Sequence, residues 1–132
     1  MHPRAFEKHK ISYEALLLKP NTLGISELLT NFTADVSRCE TLVAHNIKRD
    51  LKTLSRELLR NRMKEINVNT YCTMEQTKKF CNCKDKRNRT KYPTLDEFHQ
   101  KLFDVPLDNT KKHNSFYDVE MCAKSYFKYI IS

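Results

Sequence analysis

Glycine is nearly absent from this chain: one residue in 132, beside four prolines. That scarcity argues against a low-complexity or disordered chain. Acidic residues are the minority charge, 16 against 24 Lys and Arg, giving a formal net charge of +8 and a pI near 9.3. Such a surface attracts polyanions, either nucleic acid or an acidic membrane face, without choosing between them. No apolar run approaches the length of a membrane span, and the opening Met1 to Lys8 has no apolar core of a signal peptide. The five cysteines (Cys39, Cys72, Cys81, Cys83 and Cys122) are an odd number without a secretion signal. They read as reduced thiols of an intracellular protein, cytoplasmic or nuclear. By the same logic Asn31-Phe32-Thr33 and Asn88-Arg89-Thr90 match a glycosylation pattern by chance.

The length suits a single domain over residues 1–132. Pro3 to Pro20 reads as a loop with a short helical turn. Asn21-Thr22 is placed to cap a helix whose Leu23, Ile25, Leu28, Leu29, Phe32 and Val36 share one face. Thr41 to Ala44 is a short apolar run that suits a buried strand. From Asn46 the period changes: Ile47, Leu51, Leu54 and Leu58 predict a helix to about Asn61, with Lys48, Lys52, Ser55 and Arg56 on its other side. Ile66 to Cys72 alternates and reads as a second strand. Thr73 is a candidate cap for a helix from Met74 to about Cys81. A basic loop, Cys83 to Lys91, follows. Thr94 with Glu97 is a capping box for a helix carrying Leu95, Phe98, Leu102 and Phe103 and ending at Val105-Pro106. The last helix, Ser115 to about Ile130, shows an apolar stripe of Val119, Cys122, Ala123, Tyr126, Phe127 and Ile130. Strands interleaved with helices indicate an α/β fold. Two strands are few for a stable sheet, so an exposed sheet edge would favour pairing with a protein partner.

Asp50 and Asp118 each lie four residues before an apolar position, at the border of a helix's buried face. Two such carboxylates on different helices suit a hard divalent cation, Mg²⁺ or Mn²⁺, which takes oxygen ligands and substrate phosphate. The plain alternative is a pair of helix-end aspartates with no ligand role. Lys84, Lys86, Arg87 and Arg89 of the basic loop, with Lys111 and Lys112, are candidates to track a phosphate backbone. Cys81-Asn82-Cys83 lacks a second Cys or His pair at finger-like spacing, which argues against zinc. His9 and His45 read as structural, His45 at a strand end, and His99 as an exposed helix residue.

Leu42-Val43-Ala44-His45-Asn46, followed by Asp50, resembles the second motif of the DEDDh 3′–5′ exonucleases, the group that includes the proofreading epsilon subunit of bacterial DNA polymerase III. His113-Asn114-Ser115-Phe116-Tyr117-Asp118-Val119 resembles their third motif. Pro3 to Ser12, Asn69 to Met74 and Tyr92 to Phe98 are similar to intervening segments of that family, in the same order. The resemblance implies a ribonuclease-H-like fold, of which this chain would be the C-terminal three-quarters, and two-metal phosphodiester hydrolysis at the 3′ end of single-stranded DNA or RNA. Carried over by position, Asp50 and Asp118 would be metal ligands and His113 the general base, an imidazole with a pKa near neutrality. Asn46 and Arg49, beside Asp50, are further candidates to contact the nucleic acid, Arg49 through phosphate.

The pattern also breaks. The family's first motif supplies an Asp and a Glu ahead of the second, and no Asp-x-Glu precedes Leu42 in this sequence; Asp118-Val119-Glu120 falls inside the third motif. Arg49 stands where the family usually has an aromatic residue. Cation binding by two carboxylates instead of four is expected to be weak, and the fold is expected to be truncated at its N-terminus. The expected function is therefore an exonuclease-like domain that is incomplete or inactive as this chain alone. Its alternative is a non-catalytic basic module, derived from an exonuclease, that binds nucleic acid or protein.

Overall fold

In the computed structural model, which describes residues 24–132, the chain is built around two short strands joined by a helix. Six elements carry the architecture, in the order α1 (Ile25–Val36), β1 (Thr41–Ala44), α2 (Ile47–Arg60), β2 (Asn69–Cys72), then, after two single helical turns, α3 (Leu95–Phe103) and α4 (Ser115–Ile131). The strands are parallel, with Thr41 opposite Asn69 and Ala44 opposite Cys72. A parallel pair needs a crossover, and α2 supplies it. The α/β reading is thus met, with a sheet of two strands among the described residues. The expected opening helical turn, the Asn21-Thr22 cap, His9 and the Pro3–Ser12 segment lie outside the described residues.

Local sequence explains most element boundaries. Thr94 and Glu97 form the expected capping box, Thr94 Oγ1 accepting from the Glu97 amide and Glu97 from the Thr94 amide. Asn114 caps α4 by accepting from the Tyr117 amide. The second strand is shorter than expected, beginning at Asn69 and not at Ile66. β1 has four residues, so the parallel ladder has four partners to offer. The expected helix from Met74 to Cys81 is instead two turns, Thr73–Gln76 and Lys78–Cys81, broken at Thr77. Thr77 Oγ1 donates back to the Thr73 carbonyl at 2.7 Å, sharing that acceptor with the Thr77 amide at 3.1 Å, an arrangement that bends a helix. Thr73 is fully buried as the first helical residue and is not a cap.

The core gathers where α4 packs on α3 and on β1 and where α2 packs on both strands. Phe98 and Leu58 are fully buried, with Ile47, Leu107 and Met121 close behind. Phe98 meets the Tyr129 ring edge-on at 5.9 Å. On α4 the buried positions are Met121 and Ser125, continued by half-buried Tyr129. The expected stripe is only partly covered: Cys122 and Tyr126, beside that face, are half-buried, whereas Val119, Phe127 and Ile130 are each more than half exposed. The stripe extends past the edge of a two-strand sheet, which is too narrow to cover it. In α1, likewise, Leu29 and Val36 are buried while Ile25, Leu28 and Phe32 are exposed. His99 corrects the expectation of an exposed ring: it is buried, with Nδ1 3.0 Å from the Val105 carbonyl that follows its helix. All five cysteines are free thiols. No helix among the described residues is long and apolar enough to cross a membrane.

Candidate active site

The C-terminal end of β1 opens into a cavity of about 530 Å³ between the strand and α4. Two aspartates reach it from two helices. Asp50 sits in the first turn of α2, which begins immediately after the strand, and Asp118 in the first turn of α4. Val43, Leu95, Val119 and Phe127 supply apolar wall, and Cys122 lies among them. The turn from β1 into α2 is made by Asn46, whose backbone is left-handed at φ 70°, a conformation that asparagine tolerates better than most residues. Asp50 and Asp118 both line this one cavity.

Asp50 is exposed as a residue, yet the cavity wall withdraws enough water from its carboxyl to raise its pKa above the usual aspartate value. The neighbouring guanidinium of Arg49 pulls the other way and does not cancel the effect. Burial likewise raises the Cys122 thiol, more than its contact with Thr73 lowers it. That thiol is therefore protonated at neutral pH and a poor nucleophile.

His45, at the strand end, also lines the cavity and is its chief structural tie. Its Nδ1 lies 2.9 Å from Thr73 Oγ1 and its Nε2 2.9 Å from the Pro93 carbonyl. A carbonyl only accepts, so Nε2 carries the proton and Nδ1 accepts from the Thr73 hydroxyl. Burial lowers the ring's pKa, outweighing the Pro93 bond, which keeps the ring neutral. His45 thus joins β1, the turn after β2 and the loop before α3. The structural role expected of it is met, but neither partner was visible in the sequence.

The remaining candidates divide. His113 is exposed, at φ 66°, in the turn before α4, and it does not line the cavity, although Ser115 two residues later does. Lys112 is turned inward to Asp96, 2.6 Å away, and not outward to a phosphate. Lys111 lies 3.7 Å from Asp108. In the basic loop Arg89 pairs with Asp85, and the Lys84 ammonium donates to Thr90 Oγ1. Lys86, Arg87 and Arg49 are exposed and make no ion pair among the described residues.

Asp96 ties down the segment that carries His113. One carboxylate oxygen accepts from the Leu107 amide at 2.8 Å, the other from Lys112. Burial would raise its pKa, but these two donors hold it below the usual range. Tyr117 adds a second tie, its hydroxyl accepting from the Asp108 amide. Asp96→Ala leaves the amide of buried Leu107 unpaired and is expected to cost about 1–3 kcal/mol. Hydrogen exchange should then quicken at Leu107 and in residues 110–114, ahead of the core of α3. Unchanged protection there would mean that the turn is held by other contacts. Compared with protein-family models, curated proteins and solved structures, the chain matches none.

Proposed function

We propose that this chain is a 3′–5′ exonuclease-like nucleic-acid-processing domain of ribonuclease-H-like type, carrying the later motifs of a site for divalent-cation-assisted phosphodiester hydrolysis and inactive as this chain alone. The observation that carries the reading is the meeting of Asp50 and Asp118, from two helices, in one cavity beyond the end of β1. The order of the two motifs around that cavity supports it, as does the net charge of +8.

The donor set fits one Mg²⁺ or Mn²⁺: hard carboxylate oxygens, with the other positions left to water and substrate phosphate. Asp50 also has a partly desolvated carboxyl, whose anion a cation would compensate. A bound cation would polarise the phosphate and acidify its water. Asp50 and Asp118 would hold it, and His113 would accept the proton of the attacking water once the turn before α4 brings its ring to the cavity. Arg49 and Asn46, beside Asp50, would face the sugar–phosphate chain. Among the described residues the cavity offers two carboxylates, half of the family's four.

End-labelled single-stranded DNA and RNA, incubated with the chain and Mg²⁺ or Mn²⁺, should therefore show little or no shortening from the 3′ end. Any cleavage present should fall at least tenfold in Asp118→Ala. Cation binding that persists when both aspartates are replaced, with no cleavage, would leave the non-catalytic basic module as the better reading.

A further inference from the structure

The loop over residues 83–91 is closed at its base, the Lys91 amide donating to the Cys83 carbonyl at 2.9 Å. Inside it, Asp85 accepts from the Arg87 and Arg89 amides and from the Arg89 side chain, so the loop has a defined shape. Its one internal carboxylate is consumed in holding it, which leaves Lys86 and Arg87 pointing to solvent. Two exposed aromatic rings flank the base, Phe80 (39 % exposed) on the side where the chain enters and Tyr92 (48 %) where it leaves. Each has an ammonium over it: Lys78 Nζ lies 4.6 Å from the Tyr92 centroid, and Lys101 Nζ 6.0 Å from that of Phe80. Phe80 is steadied by the Tyr129 ring, edge-on at 5.2 Å. None of these residues lines the cavity that holds Asp50 and Asp118.

We propose that this surface is a separate binding site for single-stranded nucleic acid, on which Tyr92 and Phe80 stack unpaired bases while Lys78, Lys101, Lys86 and Arg87 contact phosphates. Cationic side chains interleaved with exposed aromatic rings are the composition that binds single strands without reading sequence. Duplexes fit less well, because their bases are already stacked on one another. The site goes beyond the nuclease reading, since it uses neither aspartate and no cation.

The test is fluorescence anisotropy of a labelled oligothymidylate of about 12 nucleotides, a length within the usual footprint of such sites, with the full chain in EDTA. Omitting divalent cations separates this proposal from hydrolysis: cleavage can fail while binding stands. Binding should weaken as salt rises. Tyr92→Ala should weaken it about 5- to 100-fold and Tyr92→Phe little, because the ring face is what stacks. Phe80→Leu, which keeps apolar volume against Tyr129, should lose a similar factor. An abasic oligomer of equal length should bind correspondingly less. If the abasic oligomer and the aromatic variants bind as well as their parents, and heparin competes equally, the surface is a general polyanion patch and the proposal is overturned. Absence of binding at low salt overturns it as well. Should Phe80→Leu fail to fold, the Tyr92 pair and the abasic oligomer decide alone.

Discussion

Replacing His45 by alanine is expected to destabilise the fold by about 3 kcal/mol, from a stranded carbonyl, a weakened hydroxyl bond and a lost ring. Both partners belong to fully buried residues: the Pro93 carbonyl loses its donor at 2.9 Å, and the Thr73 hydroxyl falls back on the Ala44 carbonyl at 3.4 Å. Phe98, stacked on the imidazole at a centroid distance of 6.3 Å, loses one side of its packing. In a domain of this size the thermal midpoint should fall by roughly 10–20 °C, read by circular dichroism. A pH signature distinguishes this role from simple filling of space. The ring's folded-state pKa lies below the 6.5 of a free histidine because burial disfavours the cation. As pH falls from 6.5 toward that lower value, the unfolded chain takes up a proton that the native ring refuses, so stability falls with pH in that window. Above pH 6.5 the contribution is complete. His45→Ala should lack this slope; an equally steep slope in the variant would move its origin elsewhere.

The parts of the fold that were legible in the sequence are those decided within a few residues. The Thr94–Glu97 box is local chemistry and appears as expected, and the change from an apolar run to helical spacing places β1 and α2 correctly. Asp50 and Asp118 were placed at the border of a buried face by helical geometry alone, and the structure puts both on the cavity wall. What could not be read depends on which neighbour each residue finds. His99 looks like a polar helix residue until the chain turns back and presents the Val105 carbonyl to it. Lys112 looks like part of a basic cluster until Asp96, sixteen residues earlier, is seen beside it. The apolar stripe of α4 is present, but a stripe does not say how wide a sheet it meets. Met121 and Ser125 pack inside while Val119 and Phe127 stand outside.

Mn²⁺ is expected to stabilise the chain, and the effect is expected to vanish when either Asp50 or Asp118 becomes asparagine. A ligand that binds the folded state alone at about ten times its dissociation constant adds about 1.4 kcal/mol, which is roughly 5–10 °C in the midpoint of a small domain. The plain alternative makes a different forecast. Both aspartates lie in the first turn of a helix, where a carboxylate gains about 0.3–1 kcal/mol from the helix dipole. If that were their whole role, asparagine would cost that small amount in EDTA and in Mn²⁺ alike, and the cation would act equally on parent and variants. Asp50 sharpens the contrast, because the desolvation that raises its pKa opposes the dipole term. In EDTA, Asp50→Asn should therefore melt close to the parent. Lowering the pH should weaken the Mn²⁺ effect, since a proton and the cation compete for the same carboxylate, and the raised pKa brings that competition nearer to neutrality. A melting shift with Mn²⁺ that survives both substitutions would place the cation away from this cavity.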